Sequence, residues 1–269
     1  MEIHIYGKSV VGNSRRNNED QIFCHGHYRK NLDELQDSYQ GMMTGEDLSL
    51  FAIFDGMGGL SNGEKASGLC ADILAGWLKE SISGTREFNT IDCIKEMNRC
   101  IVREGRITKM GSTAVIAVCR NNTIQVANIG DSRAYWLHGH NFTQLSVDHT
   151  LEDRIKRLRE EYDIDIDEND VQKHALTQYI GVPEDEFLIE PYVSGCITVE
   201  DGDQCLMCSD GLSNLVSDDQ IEDILQMNID NREKVSQLLN IALQNDRTDN
   251  ISVILLGWTE SKQESIGGV

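Results

Sequence analysis

Phe51-Ala52-Ile53-Phe54-Asp55-Gly56-Met57-Gly58-Gly59 is the stretch on which the fold of this chain turns. A short apolar run ends on an aspartate and then on a glycine-rich turn. A continuous apolar run of this length reads as a buried strand. An Asp beside Gly at its end reads as a turn. The arrangement recurs: Asp131 follows Val126-Ala127-Asn128-Ile129-Gly130, and Asp210 follows Cys205-Leu206-Met207-Cys208-Ser209. Asp249 stands just before the apolar run from Ile251 to Leu256. Four strand ends deliver four carboxylates to one sheet edge. Gathered in a small volume, carboxylates repel one another unless a cation lies between them. Oxygen-only donors favour hard divalent ions such as Mg2+ or Mn2+. The pattern points to a metal-dependent hydrolase.

Composition narrows the classes. At 269 residues and 39% hydrophobic content, the chain has enough apolar material for one sizeable core. Its formal net charge of -21 at pH 7 disfavours nucleic acid and anionic membrane as partners. A phosphorylated substrate is repelled too, so a phosphate site needs local positive charge, which bound divalent ions supply. No transmembrane-length apolar run occurs. The N-terminal residues lack a basic segment followed by an apolar one, so a cytoplasmic location with reduced thiols is expected. The eight cysteines are scattered, and Cys205 and Cys208 form a lone CxxC without the second pair that a structural zinc site needs. They read as small core residues on a strand.

Periodicity predicts strands at Ile3 to Tyr6, Asp20 to Cys24, Thr113 to Cys119, Thr123 to Ile129, Ala134 to Leu137, Leu188 to Val193, Gln204 to Cys208 and Ile251 to Gly257. Asn121-Asn122 marks a hairpin. Helices are predicted over Ser61 to Ile82, Ile91 to Val102, Leu151 to Glu161 and Glu233 to Leu243, and another starts at Ser217-Asp218-Asp219-Gln220. Arg29 to Ser49 reads as a polar excursion. Asp163 to His174 reads as a mobile acidic surface segment, and Glu260 to Val269 as a frayed tail. Strands and helices segregate without βαβ alternation, which indicates α+β with largely antiparallel sheets covered by helices. With only two prolines and no linker, residues 1–258 form a single domain followed by a tail at 259–269.

Each candidate motif is ordinary by itself. Asp55-Gly56-Met57-Gly58-Gly59 suits either a close ligand approach or a plain turn into the next helix. Glu19-Asp20 suits a strand start, Arg15 a surface position, and Asp131-Ser132-Arg133 and Asp210-Gly211 common turns. His149 reads as a turn residue, since no acid/base partner is visible beside it.

Their order carries more. Arg15…Asn18-Glu19-Asp20, Asp55-Gly56-Met57-Gly58-Gly59, Gly111-Ser112-Thr113-Ala114, Asn128-Ile129-Gly130-Asp131-Ser132-Arg133-Ala134, Asp148-His149-Thr150, Leu176 to Gly181, Ser209-Asp210-Gly211 and Asp249 to Val253 occur in this sequence. The series, from about Tyr6 to Trp258, resembles the metal-dependent protein serine/threonine phosphatases of the protein phosphatase 2C (PPM) family in their bacterial form. The resemblance implies a four-layer α-β-β-α sandwich, two antiparallel sheets flanked by helix pairs. It implies that Asp55 bridges two Mn2+ or Mg2+ ions, with the Gly56 carbonyl on the first and Asp210 and Asp249 on the second. It assigns a third, weaker ion to Asp131 with Asp210. Glu19 and Asp20 match outer acids that hold metal-bound water, and Arg15 matches the arginine that grips the substrate phosphate.

Three departures stand out. Met57 replaces a histidine that serves as proposed general acid in many eukaryotic members, so no proton donor is assigned here. Gln178-Tyr179-Ile180 replaces the usual Arg-Ala-Leu. Arg29 to Ser49 is longer than the usual link and reads as a surface loop. The expected reaction is attack of a metal-bridging water on phosphoserine or phosphothreonine in a protein, in line and without a phosphoenzyme. Thr150 to His174 occupies the position of the family's flap, and its acidity favours basic sequences around the phosphosite. The expected partners are phosphoproteins, and a serine/threonine kinase whose targets the enzyme reverses. A monomer is expected. The alternatives are a phosphoprotein-binding pseudophosphatase and a two-metal hydrolase of small phosphoesters. Retention of Asp55, Asp210 and Asp249 disfavours the first, and the ordered match disfavours the second.

Overall fold

In the computed structural model, residues 1–57, 62–105, 109–162 and 172–261 are described. Strands β1 (Glu2–Val10), β2 (Asp20–Cys24), β3 (Gln36–Thr44) and β4 (Ser49–Met57) precede helices α1 (Gly63–Ile82) and α2 (Thr90–Glu104). Strands β5 (Gly111–Ser112), β6 (Ala114–Arg120), β7 (Thr123–Ile129), β8 (Arg133–His138) and β9 (Asn141–Gln144) follow. Helix α3 (Leu151–Tyr162) leads to β10 (Tyr192–Val193), β11 (Ile197–Thr198) and β12 (Gln204–Cys208). Helices α4 (Asp210–Ser213), α5 (Asp218–Gln226) and α6 (Asn231–Leu243) come before β13 (Ile251–Thr259).

The strands form two antiparallel sheets. The first has the order β3-β1-β13-β12-β8-β9; the second runs β10-β7-β6-β4-β2, with β11 on β7 and β5 on β4. Strand β4 shows why its apolar run is continuous. Leu50, Ala52 and Phe54 pack with α1 and α2, whereas Phe51 and Ile53 turn to the opposite sheet. Side chains alternate along a strand, so a strand covered on both faces needs apolar residues at every position. Strand β13 does the same, with Val253 and Leu255 toward α5 and α6, and Ile254 and Leu256 between the sheets. Three apolar layers result, one beneath each helical face and one between the sheets. Each fully buried large side chain contributes roughly 1.5–3 kcal/mol. The expected four-layer α-β-β-α sandwich is the observed architecture.

Local chemistry sets the helix starts. Asn89 accepts from the Asp92 amide at the head of α2, and Ser217 with Gln220 forms a reciprocal capping box on α5. Asn121 and Asn122 both have positive φ, as a tight hairpin between β6 and β7 requires.

Some boundaries need correction. The stretch Arg29 to Ser49 is not simply a loop: Gln36–Thr44 is β3, paired with β1 along its whole length. Its alternating exposed and half-buried residues are those of a polar edge strand, which hydrophobicity does not reveal. Of Leu188 to Val193, only Tyr192–Val193 is a strand. Strands β5, β9 and β11 and helix α4 were not expected. The starts of the predicted helix at Ser61, most of Asp163 to His174 and the tail beyond residue 261 lie outside the described residues.

Candidate active site

Two strand ends begin the site. Asp20 of β2 and Asp55 of β4 are direct partners in the antiparallel ladder. The Asp55 main chain is tied on both sides: its amide donates to Thr113 Oγ1 at 3.2 Å, and its carbonyl accepts from the Thr113 amide at 2.8 Å and from Ser112 Oγ at 3.1 Å. Thr113 Oγ1 is in turn 2.7 Å from Ser132 Oγ. The Gly111-Ser112-Thr113 segment therefore serves as the brace of Asp55. Gly56 is obligatory for a steric reason: a Cβ there would lie 2.1 Å from the Gly63 carbonyl oxygen and 2.6 Å from that of Glu19.

The other sheet supplies Asp210, at the start of α4 after β12, and Asp249, just before β13. Gly211 lets the Asn250 carbonyl approach to 2.0 Å from where a Cβ would stand, which draws these two segments together. Asp131 comes from the turn after β7. Gly130 there has φ 102, a left-handed conformation suited to glycine. His149 holds that turn from both sides: its Nδ1 accepts from the Gly130 amide at 3.1 Å, and its own amide donates to the Gly130 carbonyl at 3.0 Å. Burial, then Arg157, pushes the imidazole down to about 4, so it is neutral at physiological pH. His149 is thus a turn residue, as its sequence context suggested. Arg133 is occupied as well, with Nε and Nη2 both on Asp148 Oδ2 at 2.8 and 2.6 Å.

Electrostatics reports the crowding. Burial, then the neighbouring aspartates, raises Asp55 well above the ordinary carboxylate range. Asp20 is pushed up to about 7, mainly by burial, as is Asp131, where burial is followed by repulsion from Asp210. Asp210 is raised by burial and by Asp249, and its carboxyl is within hydrogen-bonding reach of Asp55. Glu19 is raised by burial and by Glu64 of α1. Asp20 Oδ1 is buried without a hydrogen-bond partner.

Among the described residues, no group of three or more His, Cys, Asp or Glu side chains is gathered so that it could hold a metal ion as it stands. Asp249, although near enough to raise Asp210, has both oxygens engaged by Arg15, whose Nε and Nη2 bond them at 2.6 and 2.5 Å. The donor chemistry nevertheless fits hard divalent cations. The donors are all oxygens, one buried carboxylate oxygen is unpartnered, and the mutual repulsion is what a cation relieves.

Several contributors were not singled out from sequence. Ser209 Oγ donates to Asp20 Oδ2 at 2.8 Å. Asn250 Oδ1 accepts from the Glu19 amide at 2.8 Å. Glu64 is held by Asn17 Nδ2 at 3.1 Å. An acid in the first turn after the glycine-rich stretch was the available signal for Glu64; the other two depend on how the sheets dock. Met57 lines a cavity of about 410 Å3 with Met110, Tyr179 and Pro183. Gln178, at the place of the family's arginine, accepts from the Glu190 amide at 3.0 Å. Cys205 and Cys208 are free and buried.

A strand-edge cluster of aspartates shared between two helix-covered antiparallel sheets suits a metal-dependent hydrolase. The family model described as Protein phosphatase 2C matches residues 8–251, and the chain belongs to that family. The serine/threonine phosphatase stp of Listeria monocytogenes is 32% identical over 212 residues, covering 76% of this chain and 82% of the relative. The serine/threonine phosphatase PstP/Ppp of Mycobacterium tuberculosis superimposes with a TM-score of 0.74 at 26% identity, covering 97% of this chain and all of that one (100%). A PstP catalytic domain solved in complex with two manganese ions gives a TM-score of 0.70 at 25% identity, covering 96% of this chain and 100% of that one. The chain is a metal-dependent protein serine/threonine phosphatase. No helix among the described residues is long and apolar enough to cross a membrane.

Proposed function

We propose that Asp55, the Gly56 carbonyl, Asp210 and Asp249 hold two divalent cations, Mn2+ or Mg2+, and that Asp131 with Asp210 holds a third. Glu19 and Asp20 serve as the outer acids, and Arg15 grips the substrate phosphate. When bound, the cations supply a nucleophilic water at neutral pH and neutralise charge on the phosphoryl oxygens. Asp55, braced by Thr113, fixes the centre of the donor set. Asp20, anchored by Ser209 Oγ, keeps one oxygen free to orient water. Arg15 carries its guanidinium fork at the half-exposed rim, where it moves from Asp249 to an incoming phosphate.

The observation that carries this assignment is the set of mutually repelling carboxylates at facing strand ends, Asp20 buried and Asp55, Asp131 and Asp210 half-buried. Such a cluster is unfavourable in a folded protein unless its charge is used. The reading extends to residues 1–258 as one catalytic domain with 259–269 as a tail, acting as a cytoplasmic monomer. It opposes a serine/threonine kinase and prefers basic surroundings of the phosphosite, on account of the acidic flap. Hydrolysis of a phosphothreonine peptide with Mn2+, with chelator and with Asp210→Asn tests it. Turnover that requires both metal and Asp210 supports the assignment; turnover by Asp210→Asn at the wild-type rate overturns it.

A further inference from the structure

Arg29 is 3% exposed, yet none of the ion pairs among the described residues involves it. Its guanidinium is held instead by main-chain carbonyls. Nη2 donates to the carbonyl of Asn18 at 2.8 Å and to that of Asp20 at 2.8 Å. Nη1 donates to the carbonyl of Glu34. Its own main chain is pinned by Gln21, whose Nε2 donates to the Arg29 carbonyl at 2.8 Å and whose Oε1 accepts from the Arg29 amide at 3.2 Å. Burying a cation without a carboxylate partner is costly. The bonds it makes here all go to backbone, and two of them bracket one residue, Glu19.

Glu19 itself is fixed by other groups. Its carbonyl accepts from the Gly56 amide at 3.2 Å and from Ser67 Oγ at 2.6 Å, and its amide donates to Asn250 at 2.8 Å. With Arg29 on either side, the carbonyls of Asn18, Glu19 and Asp20 are all satisfied in one orientation. That orientation decides where the Glu19 and Asp20 carboxylates point. The rigid guanidinium suits this task because Nη2 serves both carbonyls while Nη1 is fixed by the Glu34 carbonyl, three main-chain acceptors on one planar group that a flexible ammonium does not hold in the same geometry. The turn that brings Glu34 to Arg29 is anchored to the same segment: Asn18 Nδ2 donates to the Leu35 carbonyl at 3.3 Å, and the Val11 amide does so at 2.9 Å.

We propose that Arg29 is a positioning residue for the phosphatase reaction, aligning Glu19 and Asp20 through their main chain, and that the turn from Arg29 to Leu35 exists in this chain to deliver and hold it. The proposal rests on the roles assigned above to Glu19 and Asp20. It gives the excursion between β2 and β3 a catalytic purpose without any contact to substrate.

The test compares wild type, Arg29→Lys and Gln21→Met by Mn2+ calorimetry, thermal melting, and phosphothreonine-peptide kinetics well below each melting temperature. Residues that orient a metal site from outside it typically change affinity or activity by roughly 10–100-fold when altered. Arg29→Lys is expected to weaken Mn2+ binding and lower kcat by about tenfold or more in that range, with KM for the peptide changed less than about twofold. Gln21→Met, which leaves the guanidinium in place and loosens its anchor, shifts the same two quantities in the same direction and less far; it carries the test if Arg29→Lys fails to fold. A lowered melting temperature with unchanged Mn2+ affinity and unchanged kcat in the folded variant overturns the proposal and makes Arg29 purely structural. A wild type that binds no Mn2+ overturns the metal assignments themselves, a result read before any variant is compared.

Discussion

Ser209 Oγ donates a 2.8 Å hydrogen bond to Asp20 Oδ2, and so links the end of β12 in one sheet to the start of β2 in the other. The same hydroxyl accepts from the Ser252 amide at 3.0 Å, and Ser252 Oγ contacts Ser9 Oγ at 2.8 Å. All four residues are buried. Ser209→Ala removes one of the serine contacts of the buried Asp20 carboxyl and leaves the buried Ser252 amide without its partner, which costs about 1–3 kcal/mol. Urea denaturation of the metal-free protein checks the value, and a wild-type midpoint would count against the link.

The acidic cluster sets the pH response of the metal-free protein. Asp20 and Asp131 stand at about 7 in the folded chain, above their ordinary value of 3.8. Between those limits the folded state binds more protons than the unfolded one, so stability from these groups falls as pH rises from about 4 to 7. Melting of the chelated protein across that range is expected to show this decline. Saturating Mn2+ is expected to flatten or reverse it, because ligands bind metal in the deprotonated form. A chelated protein that gains stability toward pH 7 would contradict the burial of these carboxyls.

Arg15→Ala separates the two partners of the rim. The pair is half exposed, so its loss changes stability by no more than about 1 kcal/mol. Catalysis is expected to suffer more. Losing charge-assisted bonds of roughly 1.5–3 kcal/mol lowers kcat/KM for the phosphopeptide by about tenfold to a hundredfold. Mn2+ affinity is expected to hold or rise, because Asp249 is released from its partner. Calorimetry showing weaker Mn2+ binding in this variant would mean that the ion pair helps to build the site.

Gly56→Ala places a methyl group 2.1 Å from the Gly63 carbonyl oxygen, with backbone on either side. No side chain yields there, and overpacking of this kind costs at least about 1–3 kcal/mol. Denaturant midpoints are expected to drop by that amount or more, together with loss of turnover. An active variant with a wild-type midpoint would show that α1 shifts freely relative to β4.

The strands that decide the fold were legible because they are buried on both faces. Continuous apolar runs in β4, β12 and β13 read as buried strands, and Asp55, Asp210 and Asp249 stand at one end of each. Strand β3 was hidden by its polarity, since an edge strand with one solvated face carries little hydrophobic signal. Short strands such as β5 and β11 owe their existence to neighbours instead of to their own composition. Among the site residues, the aspartates announced themselves by position in the chain. The contacts of Ser209, Asn250 and Arg29 did not, because hydrogen bonds between segments hundreds of residues apart, or to main-chain carbonyls, leave no local pattern. Met57 lines a cavity with Met110, Tyr179 and Pro183, a neighbourhood assembled from three distant segments that its own sequence context does not announce.

The position of β13 has a consequence for biosynthesis. It sits in the first sheet between β1 and β12, pairing Glu2 with Thr259 and Val10 with Ile251 on one side. In a nascent chain that has not yet reached Thr259, β1 with β3 and β12 with β8 and β9 share no strand pairing, and only their packing on the second sheet connects them. Asp249 stands just before β13. Pairings this distant in sequence form slowly and leave strand edges open while the ribosome works. On the role proposed for Asp249, a chain stopped short of that residue lacks both one carboxylate of the site and the central strand of the first sheet.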